Sequence, residues 1–397
     1  MIIEMAWATF IGSIVYGSAP YVYEGMRKSA QKSKLRKAFL NGELYLKRKD
    51  EKVKIKPNIL KTRITDDKMT FVFSIPKGVN PDRFIEKSYV LKQYFNDYID
   101  LKVESKRGIL NVYPKGLPKE FTYKFEDIDT TKHKLPIVCG MNLAGKMFTY
   151  DMVTHPHLLI AGETGSGKSS IVRSILTTVI KSRSPKQVRL ILADMKRSEF
   201  FTFKNLEHVE GVYHSAEELR PVLAKVKREM IKRGNLLDEH EVTSIDEIDK
   251  KPPYLIVCID EVVLLKKETD IMDVLEEISS IGRSLGVFLI LSMQRPDSNL
   301  LDGKLKVNLT VRMGFKTADA INSKIIGTPG AEKLETPGRM ILRINSDYQQ
   351  IQAPWLAADK ARKLLSPYKQ STSNVVPLRK ETDTKEDIWG VLTDDET

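Results

Sequence analysis

The sequence predicts an α/β chain dominated by a mainly parallel, doubly wound sheet, preceded by a small α+β unit and an N-terminal helix. Three observations predict this class. A short apolar run from His157 to Ala161 enters a glycine-rich turn and leaves it as a helix, with Ile171, Val172, Ile175, Leu176 and Val179 at core-facing spacing. A second apolar run, Pro253 to Glu261, ends in two adjacent carboxylates. Two more runs, Val188 to Asp194 and Gly286 to Gln294, alternate with helical stretches, as the strands of a parallel sheet must.

The glycine-rich turn matches G-x-x-x-x-G-K-[ST] in full, as Gly162, Glu163, Thr164, Gly165, Ser166, Gly167, Lys168 and Ser169, with Ser170 following. Glycines let the backbone wrap a phosphate chain with successive N–H groups pointing at the anion, and the helix N-terminus adds its positive dipole end. The pattern implies ATP, with Lys168 bridging the β- and γ-phosphates and the Ser169 hydroxyl on Mg²⁺. At the end of the acidic run, Asp260 is placed to hold Mg²⁺ and Glu261 to act as general base on the attacking water. Gln294, ending the next run, is placed to sense the γ-phosphate. An extra strand between the phosphate loop and the acidic run, plus the Glu after it, marks a RecA-like core for this P-loop motor domain, expected over residues 135–366.

Ahead of the motor the chain divides into three expected parts. Met5 to Tyr23 holds nineteen residues without a charge, roughly 28 Å as a helix and enough for a hydrocarbon core near 30 Å. Trp7 lies near one end, Tyr16, Tyr21 and Tyr23 near the other, and six Lys or Arg follow between Arg27 and Lys37. Residues 1–26 are thus expected to be a single transmembrane anchor, with the remainder cytoplasmic. Residues 27–57 carry twelve Lys or Arg against three Asp or Glu and read as a basic neck. Residues 58–134 read as the small α+β adaptor: a strand at 68–75, a helix from Pro81 to Phe95, and strands at 99–104 and 108–113. After the motor, residues 367–397 form a polar tail expected to be disordered, with Asp387 to Leu392 as a candidate docking segment.

Composition narrows the partners. The 397 residues carry a formal net charge of +12, which favours an anionic partner such as nucleic acid or an anionic membrane face. Cys139 and Cys258, 119 positions apart, supply neither a disulfide framework nor a zinc site and fit a reducing compartment.

Over about residues 135–355 the motor resembles the FtsK/SpoIIIE family. Leu135 to Gly145 is similar to the strand and turn before that family's P-loop, and "PHLLIAGETGSGKS" at 156–169, "DMKRSEF" at 194–200, "KREMIKR" at 227–233, "SIGRSLGVFLILSMQRPD" at 280–297 and "GAEKL" at 330–334 follow in the family's order. The resemblance implies a ring, usually a hexamer, that pumps DNA through its centre with ATP between neighbouring subunits and an arginine supplied in trans. Arg283 is the candidate for that arginine, with Arg312 and Arg295 as alternatives, and Lys196 and Arg197 are candidate phosphate contacts. Chromosome-segregation members carry several membrane spans, a long linker and a C-terminal winged-helix module, so orientation-specific pumping is not expected here. One anchor, one small domain and one motor look more like the coupling ATPases of conjugative and mobile elements in Gram-positive bacteria, with relaxase or secretion-channel proteins as partners. A type VII secretion-like protein-export ATPase is the alternative.

Overall fold

The computed structural model describes residues 23–47, 54–298 and 303–370. Apart from Tyr23 the expected membrane span lies outside them, as do most of the tail and its candidate docking segment. Among the described residues no helix is long and apolar enough to cross a membrane.

The large sheet holds six parallel strands in the spatial order Val209–Tyr213, Val188–Asp194, Tyr254–Asp260, Val287–Met293, Leu158–Ala161 and Val311–Gly314. It then turns antiparallel through Arg339–Ile344, Asp347–Gln352, Pro136–Asn142 and Met147–Asp151. The sheet is therefore mixed, with the expected parallel arrangement confined to the six strands on one side. Tyr254–Asp260 and Val287–Met293 are buried along their whole length, which is why they read as unbroken apolar runs. The helix Lys168–Ser182 packs on Pro136–Asn142, and the helices Ala216–His240 and Thr269–Leu285 pack on each other.

The parallel order puts the phosphate loop, the acidic pair and Gln294 at one end of the sheet. Leu158–Ala161 lies between Val287–Met293 and Val311–Gly314, and Tyr254–Asp260 is the next strand across. Loops leaving the carboxyl ends of neighbouring parallel strands must converge there.

The small domain is a four-stranded antiparallel sheet, Ile59–Ile64, Met69–Ser74, Arg107–Val112 and Ile99–Val103 in spatial order. Where one helix was expected from Pro81 to Phe95 there are two, Asp82–Glu86 and Ser88–Tyr94, joined at Lys87. The basic neck is not merely a solvated connector. A helix over residues 23–41 buries Leu35, Ala38 and Phe39 in the small domain's core, where the Phe39 and Phe73 rings lie 4.9 Å apart and Phe73 stacks on Phe84 at 5.4 Å. Gly108 is required opposite them, since a Cβ there would come within 2.2 Å of the Phe73 ring. Packing also shifts the other boundaries. Tyr123 and Ile128 belong to the motor's core, and the Tyr123 hydroxyl shares a 2.9 Å hydrogen bond with Thr178 on the phosphate-loop helix. At the far end the amide of Gln370 still donates to the Asn205 carbonyl.

Candidate active site

The phosphate loop is built as its glycines demand. Gly162, Gly165 and Gly167 all have positive φ, at 155°, 79° and 118°. Gly167 also passes so close to the neighbouring chain that a Cβ would lie 2.8 Å from the Cα of Gly338. The loop is held from outside: Glu163 N–H donates to the Lys316 carbonyl, Gly338 N–H to the Ser166 carbonyl, and the Ser166 hydroxyl to the Glu163 carbonyl. A left-handed Gly167 then starts the helix Lys168–Ser182, leaving its first-turn amides to face the cleft.

Three buried charged groups meet at this end of the sheet. Lys168 is 6% exposed, Asp260 7% and Glu261 6%. Among the described residues no hydrogen bond or ion pair reaches the Lys168 ammonium. Its burial lowers its affinity for a proton, and the Asp260 and Glu261 carboxylates nearby only partly restore it. Burial pushes the Asp260 carboxyl up in turn, against a 2.7 Å hydrogen bond from the Ser292 hydroxyl. Glu261 sits in the left-handed region at φ 56°, a conformation that costs a non-glycine residue energy and turns the chain sharply at the strand's end. One carboxylate oxygen accepts from the Lys196 ammonium at 3.1 Å, the other from the Gln294 N–H at 3.2 Å.

Gln294 links this pair to the phosphate loop, since its side-chain oxygen accepts from the Thr164 hydroxyl at 3.3 Å. Glu163, Thr164, Gly165, Gly167, Lys168, Ser169 and Gln294 all line one cleft of about 660 Å³, a size suited to a nucleotide. Ser170 lines the same cleft. Its hydroxyl is buried, donating to the Pro354 carbonyl and accepting from the Leu356 N–H, so only its backbone remains for a ligand.

The residues present fit Mg²⁺. That ion is usually held by one or two protein oxygens together with water and substrate phosphates, so it needs no acidic cluster. A serine hydroxyl on the cleft wall and a buried carboxylate whose pKa burial raises meet that requirement. Among the described residues there is no group of three or more His, Cys, Asp or Glu that could hold a metal by itself.

The arginines separate by environment. Arg283 is exposed in the last turn of the helix Thr269–Leu285, which leads at once into Val287–Met293. It therefore lies at the amino ends of the strands, opposite its own chain's phosphate loop. Arg295 is exposed next to Gln294. Arg312 is buried and donates to the carbonyls of Leu309, Ile326 and Lys306, which commits its guanidinium to holding the fold.

Sequence reasoning missed the roles of four residues. Ser292 was marked only by being a polar residue in a buried apolar strand. Lys196, a candidate phosphate contact, pairs with Glu261. Asp194 caps the following turn, accepting from the amides of Ser198, Glu199 and Phe200. Trp355 lines the cleft from a segment nearly two hundred residues away, and no local pattern announces it.

A glycine-rich phosphate cradle, a buried lysine at its helix N-terminus and an Asp-Glu pair at a neighbouring strand end define a P-loop ATPase. Residues 122–251 match the model of the FtsK/SpoIIIE family. Among curated proteins, the DNA translocase FtsK of Borreliella burgdorferi is 32% identical over 281 residues, covering 64% of this chain and 35% of that protein. The FtsK of Chlamydia trachomatis is 30% identical over 283 residues, 65% of this chain and 35% of its own. The chain thus spans about a third of the length of these relatives. Among solved structures, the pCW3 conjugation coupling protein TcpA, a monomer form with ATPγS, superposes with a TM-score of 0.59 at 23% identity, covering 85% of this chain and 99% of that one. The cytoplasmic domain of the type VII secretion ATPase EccC of Thermomonospora curvata gives a TM-score of 0.53 at 26% identity, covering 60% of this chain and 32% of that one. The fold, the site and these likenesses make the chain a P-loop ATPase similar to the FtsK/SpoIIIE family.

Proposed function

We propose that this chain is an ATP-driven DNA translocase that works as a ring of identical copies, hydrolysing ATP at subunit interfaces to move DNA in conjugative or mobile-element transfer. The observation that carries the reading is the convergence of Lys168, Asp260, Glu261 and Gln294 around the phosphate loop of an FtsK/SpoIIIE motor. The names of the curated relatives and the net charge of +12 support DNA as the substrate. The likeness in fold to TcpA along 99% of that chain supports a coupling role. The apolar run Met5 to Tyr23 supports a membrane anchor with the motor in the cytoplasm.

In this reading the first-turn amides of the P-loop helix and the Lys168 ammonium hold the phosphates. Lys168 is well suited to it, because a buried ammonium without an internal partner gains most from an incoming anion. Glu261 takes the proton of the attacking water, its orientation fixed by Lys196 and the Gln294 amide. Gln294, bonded to both the loop and the base, transmits the state of the phosphates to the sensor strand. When bound, Mg²⁺ would be held by Ser169 and Asp260 and would offset charge on the phosphate oxygens. Arg283, remote from its own chain's cleft, would act on a neighbour's.

The test is ATP hydrolysis by the full chain with and without single- and double-stranded DNA. Stimulation by DNA, lost in Lys168→Ala and Glu261→Gln, is the expected result. Mixing Lys168→Ala with Arg283→Ala protein should recover part of the activity if Arg283 acts in trans. Hydrolysis indifferent to DNA would move the weight to a second reading, protein export, which the likeness to EccC supports.

A further inference from the structure

One residue on the wall of the nucleotide cleft has no part in phosphate binding or hydrolysis. Trp355 is 61% exposed, yet its backbone is pinned on both sides. Its N–H donates to the Phe121 carbonyl at 2.6 Å and its carbonyl accepts from Tyr123 N–H at 3.0 Å. The flanking Pro354 and Leu356 are both tied to the Ser170 hydroxyl, at 3.0 and 2.7 Å, in the first turn of the P-loop helix. Tyr123 is in turn buried against that helix through Thr178. Two distant segments thus pin the backbone that carries this large ring beside the phosphate loop while leaving most of the ring exposed. Trp355, Phe121 and Pro354 line the same cleft as Gly165, Lys168 and Ser169.

An exposed indole on a pinned backbone presents a flat apolar surface that a flat apolar partner can cover. We propose that Trp355, flanked by Phe121, is the platform on which the base of the bound nucleotide stacks. This assignment rests on the nucleotide reading of the cleft and adds the residue that holds the base. Stacking on an aromatic face asks only for a π-surface, so the interaction belongs to the base and leaves the phosphates to the loop. It also gives Ser170 its task. The hydroxyl ties the platform to the helix whose amides hold the phosphates, fixing the distance between the two halves of the ligand.

The experiment is a binding titration of the full chain with ATPγS and, separately, with inorganic tripolyphosphate, which offers the phosphates without a base. Trp355→Ala should weaken ATPγS on the order of 10-fold or more, leave tripolyphosphate affinity unchanged, and be largely rescued by Trp355→Phe. In a protein carrying Trp7→Phe and Trp389→Phe, where Trp355 is the remaining tryptophan, its fluorescence should respond to ATPγS and not to tripolyphosphate. Equal ATPγS affinity in wild type and Trp355→Ala would overturn the assignment while leaving the nucleotide reading intact. Loss of tripolyphosphate binding in Trp355→Ala would also overturn it, by making the residue a support of the loop. Wild-type protein that binds neither ligand would sink the nucleotide reading itself.

Discussion

Buried charge is met in opposite ways by Arg233 and Asp246 at the amino ends of the parallel sheet and by Lys168 and Asp260 at its carboxyl ends. At the amino ends, Arg233 is 4% exposed and donates to the carbonyls of Leu285 and Pro253 at 2.8 and 2.9 Å and to Glu229 at 2.9 Å. Close by, burial pushes the Asp246 carboxyl up, but hydrogen bonds from Lys251, Tyr254 and Lys134 outweigh it and hold the group at about 2. At the carboxyl ends, Lys168 is equally buried with no hydrogen bond or ion pair among the described residues, and Asp260 is held by a serine and left with a raised pKa. Charge that the protein saturates holds the fold together. Charge that it buries and leaves incomplete waits for a ligand, since leaving a buried ion uncompensated costs several kcal/mol.

That contrast can be broken by experiment. The largest effect should come from the incomplete end: Glu261→Gln should lower hydrolysis about 10²- to 10⁴-fold while ATPγS binding and melting temperature stay near wild type. Lys168→Met should abolish hydrolysis yet leave the melting temperature equal or raised, because it removes an unpaired buried ammonium. A marked loss of stability in Lys168→Met, seen by thermal unfolding, would show that the lysine is structural after all. At the saturated end the signs reverse. Arg233→Met should cost about 3–5 kcal/mol of stability by leaving carbonyls unpaired, with Lys a poor substitute, while the folded fraction hydrolyses ATP normally.

His157 sharpens the comparison through pH. It precedes the phosphate-loop strand at φ 60°, and burial lowers its pKa to about 4 while its Nδ1 accepts the Leu289 N–H. The folded value lies below the unfolded one near 6.5, so the unfolded chain binds the extra proton first. The stability tied to the neutral ring is complete above about pH 6.5 and is lost as pH falls toward 4, by roughly 3 kcal/mol. His157→Asn, which tolerates that backbone and keeps an acceptor, should flatten this part of a stability-versus-pH curve. The smallest effect is expected at Arg283, where Ala should shift stability by no more than about 0.5 kcal/mol. Any loss of hydrolysis there then reports on assembly.

Much of the motor could be read from the chain because its signals are local. The runs at 188–194, 253–261 and 286–294 became strands within a residue of their expected bounds. Burial on both faces leaves an unbroken apolar stretch bounded by polar residues. The edge was harder. Val209–Tyr213, at the sheet's edge, has one buried residue of five, so its pattern is mixed. Phosphate-loop glycines were legible for the same reason as the strands: the required φ values are set within eight residues. The partners of the Ser170 hydroxyl were not legible, because Pro354 and Leu356 lie more than 180 positions away.

By itself the sequence determined that a phosphate cradle, an acidic strand end and a polar sensor exist and in what order, since each is encoded by residues adjacent along the chain. Only the tertiary structure decided which charges are spent. It joined Lys196 to Glu261, gave Arg312 to three carbonyls, set Arg283 at the opposite end of the sheet from the chain's own cleft, and brought Trp355 beside Lys168. Hydrogen-bond partners and burial depend on what lies across space, and nothing in a local pattern records that.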